Sequence, residues 1–187
     1  MLKFHKIPEG LSFFSPAVMV ASFGGAGLIR PASGTWGSLA ALPFGYFILL
    51  NYNWLYLLTL SITLYIIGLW ACTVWLHFNG AGEDESESSN SENNTDNDPS
   101  AIVIDEAAGL LFALALIPYP RDGFSAVATL LLGFALFRFF DIFKPWPVRY
   151  IDNNTKGAQG IMLDDMVAGL LAALTTAVIS KGFPDVP

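Results

Sequence analysis

The 187-residue chain is poor in charge, in histidine and in cysteine, and each scarcity removes a class of protein. Only 13% of its residues are Asp, Glu, Lys or Arg, against 53% hydrophobic, which lies outside the balance of a soluble globular domain. With a single cysteine, Cys72, neither a disulfide framework nor a cysteine-rich zinc site can form within one chain, and Cys72 reads as core packing. His5 and His77 lack ligand spacing and read as surface or interface residues. The Gly-rich stretch Ser22 to Ser38 contains neither a complete Gly-x-Gly-x-x-Gly nor a phosphate-loop lysine, so nucleotide binding is not supported. The opening Met-Leu-Lys-Phe-His-Lys is followed by Ile-Pro-Glu-Gly instead of an apolar run, so a retained N-terminus is expected.

What the chain does have is long apolar runs. Trp54 to Phe78 is long enough to cross roughly 30 Å of hydrocarbon, and Trp36 to Tyr52 is just long enough to be a second span. Ala107 to Pro120, Gly123 to Phe137 and Met166 to Ser180 run to about 14 residues each, the range of buried or re-entrant helices. The fold class expected is therefore all-α, a membrane-embedded bundle of about four to five hydrophobic helices forming one domain over residues 1–187. The net charge of −7 is concentrated in Glu83 to Asp98, where seven carboxylates stand among Ser and Asn without a cation. Such a composition cannot bury a core, so residues 80–97 read as a disordered, solvated acidic loop.

If Asn51 to Asn53 is a tight turn, the first two spans form a hairpin whose outer ends share one membrane face. Arg121 then marks the turn of a second, shallower hairpin. Lys3, Lys6, Arg30, Arg138, Lys144, Arg149 and Lys156 fall on the first face and only Arg121 and Lys181 on the other, which favours the first face as cytoplasmic. Every candidate catalytic carboxylate, Asp98, Asp105, Glu106, Asp141, Asp152, Asp164 and Asp165, falls on that face too.

Three constellations carry chemistry. Asp105-Glu106 and Asp164-Asp165 each place adjacent acids at the head of an apolar helix, with Gly109 and Gly169 available for close approach of another helix. Carboxylates at a helix start also complement its dipole, but ionisable groups beside membrane-embedded runs are costly and need a partner. Hard oxygen ligands of this kind suit Mg²⁺ or Mn²⁺. The second constellation is Arg138-Phe-Phe-Asp141-Ile-Phe-Lys144-Pro145-Trp146-Pro147-Val-Arg149, either a local Arg138–Asp141 ion pair with an interfacial Trp146, or a phosphate clamp of Arg forks and a Lys point charge. The third is the Gly-rich loop, where Thr35 or Ser38 either caps the helix that begins there or joins an anion site at its N-terminus.

These motifs closely resemble the phosphatidylglycerophosphatase A family from about Phe23 to Ile179. The resemblance rests on Ser33-Gly34-Thr35-Trp36-Gly37-Ser38-Leu39, on Asp98-Pro99-Ser100 through Ile104-Asp105-Glu106, on Arg138 through Pro147, and on Gly160-Ile161-Met162-Leu163-Asp164-Asp165. It implies a Mg²⁺-dependent inner-membrane phosphatase of phospholipid biosynthesis that converts phosphatidylglycerophosphate to phosphatidylglycerol and phosphate, facing the cytoplasm. No nucleic acid and no obligatory protein partner is expected. The family's acidic motifs fall on Asp98, Asp105, Glu106, Asp141, Asp164 and Asp165, and its basic ones on Arg138 and Lys144. The expected site is thus Asp105, Glu106, Asp141, Asp164 and Asp165 as catalytic acids, and Asp98, Asp105, Glu106, Asp164 and Asp165 as metal ligands. Arg138, Lys144, Arg149, Thr35 and Ser38 are the expected phosphate ligands. The competing readings are a head-group phosphotransferase, whose usual longer acidic signature is not present, and a transporter, for which acids in mid-span are expected.

Overall fold

The computed structural model describes residues 3–8, 10–78, 99–117 and 123–182. The acidic loop 80–97, Asp98 and Arg121 lie outside the described residues. Seven α-helices occur among them: α1 (Pro16–Ala21), α2 (Ser33–Asn51), α3 (Trp54–Phe78), α4 (Ile104–Leu116), α5 (Gly123–Phe143), α6 (Val148–Asn154) and α7 (Gly157–Gly182). The chain is nearly all helical, as its composition predicts. The departure is a two-residue antiparallel ribbon, β1 (Lys3–Phe4) on β2 (Ile29–Arg30), that ties the N-terminal segment to the loop before α2.

Among the described residues, four helices are long and apolar enough to span a membrane: Ser33–Asn51, Trp54–Phe78, Ala126–Phe143 and Gly157–Ser180. Many of their large apolar side chains point outward, among them Phe44, Phe47, Ile66, Leu131 and Val178. In water such a surface would aggregate; in lipid it is the expected solvent-facing side. Two of the short helices expected from sequence are in fact long. α5 runs six residues past Phe137 through Arg138 and Asp141, and α7 begins at Gly157, nine residues before Met166. Counting charge-free residues misplaced both boundaries, because a helix whose charged turn is covered by protein continues through it.

The remaining hydrophobic helix, α4, has 13 residues. At 1.5 Å per residue it is about 20 Å long, too short to cross. It is instead the centre of the bundle, with nine of its residues buried against neighbours on several sides. Glycines set its distance from α7: a Cβ on Gly109 would stand 2.5 Å from the Asp165 carbonyl oxygen, and one on Gly169 would strike the Gly109 carbonyl. This is the close approach expected of that pair, and it brings the backbone of one acidic segment against the other. On the opposite side, the Ser61 hydroxyl of α3 donates to the Ala108 carbonyl at 2.8 Å, a polar contact between apolar helices.

Candidate active site

Up-and-down chain direction brings one end of every long helix to the same place. The N-terminal ends of α2, α4 and α7 meet the C-terminal ends of α3 and α5 around a cavity of about 820 Å³, with α6 and the loops beside it forming the rim. Among the described residues its wall carries six carboxylates, Asp105, Glu106, Asp141, Asp152, Asp164 and Asp165, and one ammonium, that of Lys144.

Three of these acids converge. Ligand-capable oxygens of Asp105, Glu106 and Asp165 all lie within 4.8 Å of one another. Asp105 Oδ1, Glu106 Oε2 and Asp165 Oδ2 are buried and have no hydrogen-bond partner. Burial raises the Asp105 carboxyl well above the usual carboxylate range, and the neighbouring charges of Glu106 and Asp165 push it the same way. Glu106 is also raised by burial, against the opposing effects of a hydrogen bond with Asp105 and the charge of Arg138. Carboxylates crowded together with orphaned oxygens are unfavourable unless a cation joins them. The donor set is all oxygen and hard, so the residues present fit a divalent metal of the Mg²⁺ or Mn²⁺ type.

Behind this triad sits Arg138, on the extended end of α5. Its Nη1 lies 2.6 Å from Asp141 Oδ2 and 4.0 Å from Glu106 Oε1. The same nitrogen donates to the Ser38 hydroxyl at 3.4 Å, and that hydroxyl donates in turn to the Gly34 carbonyl at 2.9 Å. A Cβ at Gly34 would collide with Glu106 Oε1 and stand 3.2 Å from Arg138 Nη2, so a larger residue there displaces the Glu106 carboxylate. Arg138 is thus packed between α2, α4 and α5 and does not line the cavity.

Lys144 does line it. Its Nζ donates to Asp152 Oδ1 at 2.6 Å and to Asp164 Oδ2 at 2.7 Å. Burial alone would lower its pKa, but the two carboxylates outweigh that and hold the ammonium above its ordinary range. The residue has a left-handed backbone with φ 43°, ending α5 where glycine is usual. Asp164 was expected at the head of a helix beside Asp165. It lies seven residues into α7, paired with Lys144, and its Oδ1 accepts the backbone N–H of Asp165 at 3.0 Å.

The other expected residues are placed less centrally. Ser38 is fully buried inside α2, and Thr35 is partly buried two residues after the helix starts, so neither is its N-cap. Arg149 is exposed on α6 and does not line the cavity, and Trp146 is 81% exposed. Conversely, Ser33, Thr73 and His77 line the cavity without having been expected there, and Asp152, a candidate acid of this face left out of the expected site, lines it with them. His77 follows the last apolar turns of α3, and only the hairpin topology carries it to the acids. Asp152 and Ser33 stood in view beside motif residues, but nothing in their spacing separates them from loop polarity.

A bundle of apolar spans with carboxylates and a lysine gathered at one end is the architecture of a membrane protein whose acidic cluster could hold a metal ion. The profile of the family Phosphatidylglycerophosphatase A matches residues 19–180. Phosphatidylglycerophosphatase A of Haemophilus influenzae is 33% identical over 169 residues, 90% of this chain and 91% of its own length. Phosphatidylglycerophosphatase A of Escherichia coli is 33% identical over 174 residues, 93% of this chain and 89% of its own. A Bacteroides thetaiotaomicron protein named for phosphatidylinositol-3-phosphatase activity is 41% identical over 81 residues, 43% of this chain and 48% of its own length. No solved structure matches the chain. The chain belongs to the phosphatidylglycerophosphatase A family and is a phosphatase acting on a phosphate monoester.

Proposed function

We propose that this protein hydrolyses phosphatidylglycerophosphate to phosphatidylglycerol and phosphate, in phospholipid biosynthesis, with Mg²⁺ and at the cytoplasmic face of the inner membrane. The observation that carries the reading is the convergence of Asp105, Glu106 and Asp165 beside Lys144 in one cavity at the ends of spanning helices. A lipid whose phosphomonoester projects from the bilayer reaches such a cavity without leaving the membrane. The seven cations that the topology assigns to this end favour the cytoplasmic side.

Asp105, Glu106 and Asp165 would hold the metal, with Asp98 a further ligand proposed from the family motif. When bound, Mg²⁺ supplies Lewis-acid polarisation of a phosphoryl oxygen. Lys144 contributes a positive point charge for the phosphoryl group. Arg138 orients Glu106 and Asp141 from behind the cluster, with the Ser38 hydroxyl accepting from its guanidinium. Of the three cavity carboxylates left, Asp141, Asp152 and Asp164, Asp141 and Asp164 are the candidates to accept the proton of the attacking water, Asp152 lying at the more exposed rim. As the water oxygen bonds to phosphorus, the ester P–O bond breaks and the leaving glycerol oxygen takes up a proton. Thr35 and Arg149 keep a supporting place, in the first turn of α2 and on α6 at the outer rim.

The test is phosphate release by purified protein in detergent from phosphatidylglycerophosphate and from phosphatidylinositol 3-phosphate, each with Mg²⁺ and with chelator. Preferred, metal-dependent release from the first is expected. Equal or greater release from the second reassigns the substrate.

A further inference from the structure

Lys144 provides the only ammonium or guanidinium on the cavity wall among the described residues, and in the structure it is already engaged by two carboxylates. Those two partners are not equivalent. Asp164 is 8% exposed in its side chain and belongs to the helix that carries Asp165, so stripping it of Lys144 strands a buried charge. Asp152 is 41% exposed, on the short helix α6 at the rim, and water can solvate it once it is released. Its oxygen sits 2.6 Å from Nζ, and the residue lines the cavity that an incoming anion must enter.

We infer that the Asp152 carboxylate occupies the position of the substrate's phosphate on Lys144, and that a phosphate group binds there by displacing Asp152 while Asp164 stays in place. This rests on the reading of Lys144 as a counter-charge for phosphate. An ammonium has three donors, so Lys144 can keep Asp164 and exchange one oxygen anion for another without losing its charge balance. Asp152 is then a specificity-determining residue: it competes with weak or singly charged anions and yields to a phosphomonoester dianion, which also has the metal to bind. A tethering role for Asp152, holding Lys144 in place for the substrate, makes the opposite forecast.

The experiment is calorimetric titration of inorganic phosphate into the detergent-solubilised full chain with Mg²⁺, comparing wild type with Asp152→Asn and Asp152→Ser. Removing a competing exposed ion pair should tighten phosphate binding by about two- to fivefold. Adding Lys144→Ala to either variant should erase the gain. Unchanged or weaker binding in both folded Asp152 variants overturns the inference, as does a gain that survives Lys144→Ala. Because phosphate binding is read without turnover, wild-type failure to hydrolyse phosphatidylglycerophosphate counts against the proposed substrate and leaves this result to be judged separately.

Discussion

Asp105-Glu106 and Asp164-Asp165 look like two copies of one device, yet the fold uses them differently. Both members of the first pair point into the metal-competent cluster, from the first turn of a short buried helix. The second pair is divided, with Asp165 in that cluster and Asp164 turned to Lys144. Adjacent residues on a helix project about 100° apart. At a helix start, where the chain end is open on several sides, both directions can face one cavity. Inside a long helix, one direction meets the central helix and the other meets the rim. An acidic doublet therefore reports that a site is near, and its position along the helix decides how many ligands it supplies.

That division is open to direct attack. Glu106→Gln and Asp165→Asn should each lower turnover by more than the roughly 100-fold that loss of a supporting partner costs a metal site. Asp164→Asn should leave Mn²⁺ affinity, read by electron paramagnetic resonance, close to wild type while still reducing turnover. If Asp164→Asn abolishes Mn²⁺ binding as Asp165→Asn does, the two pairs are equivalent after all.

A smaller loss is expected at Lys144. A charge-assisted contact is worth about 1.5 to 3 kcal/mol, so Lys144→Ala should cost on the order of ten- to a hundredfold in kcat/KM. Trp146→Phe, at a side chain facing outward, should change little. Both are measured on a short-chain soluble substrate, which removes any demand for membrane docking. Wild-type efficiency in Lys144→Ala would move the phosphate contact elsewhere.

The mildest effect on chemistry, and the clearest on stability, belongs to the glycines that seat one pair against the other. Gly169→Ala forces a methyl against the Gly109 carbonyl, and overpacking of this kind costs about 1 to 3 kcal/mol. A lowered thermal midpoint in detergent is the expected result. An unchanged midpoint would mean that α4 and α7 separate freely.

Much of this was legible beforehand, and the limits are instructive. The helical class, the hairpin across Asn51 to Asn53 and the glycine approach all follow from local composition, since lipid permits few alternatives. The ends of α5 and α7 did not, because Arg138, Asp141, Asp164 and Asp165 interrupt the apolar pattern without interrupting the helix. Charge was read as a boundary where protein contacts, invisible in one dimension, neutralise it. The arginine and the lysine of the basic motif looked like two halves of one clamp. Six residues on a helix that ends between them are enough to put one behind the acids and the other in front. Asp152 and His77 come to the cavity through tertiary contacts alone.

The helix that carries Asp105 and Glu106 does not reach across the bilayer, and this has a consequence for how the protein is made. A segment of 13 residues has no independent anchorage in lipid, so it must be held by its neighbours. Its principal neighbour on the cluster side, α7, leaves the ribosome after it, with α5 and α6 made in between. Until α7 arrives, Asp165 is missing and the other two acids have no fixed depth. The three acids therefore come together only once α7 has been made and has packed on α4, and the apolar spans that precede it do not by themselves assemble the cluster.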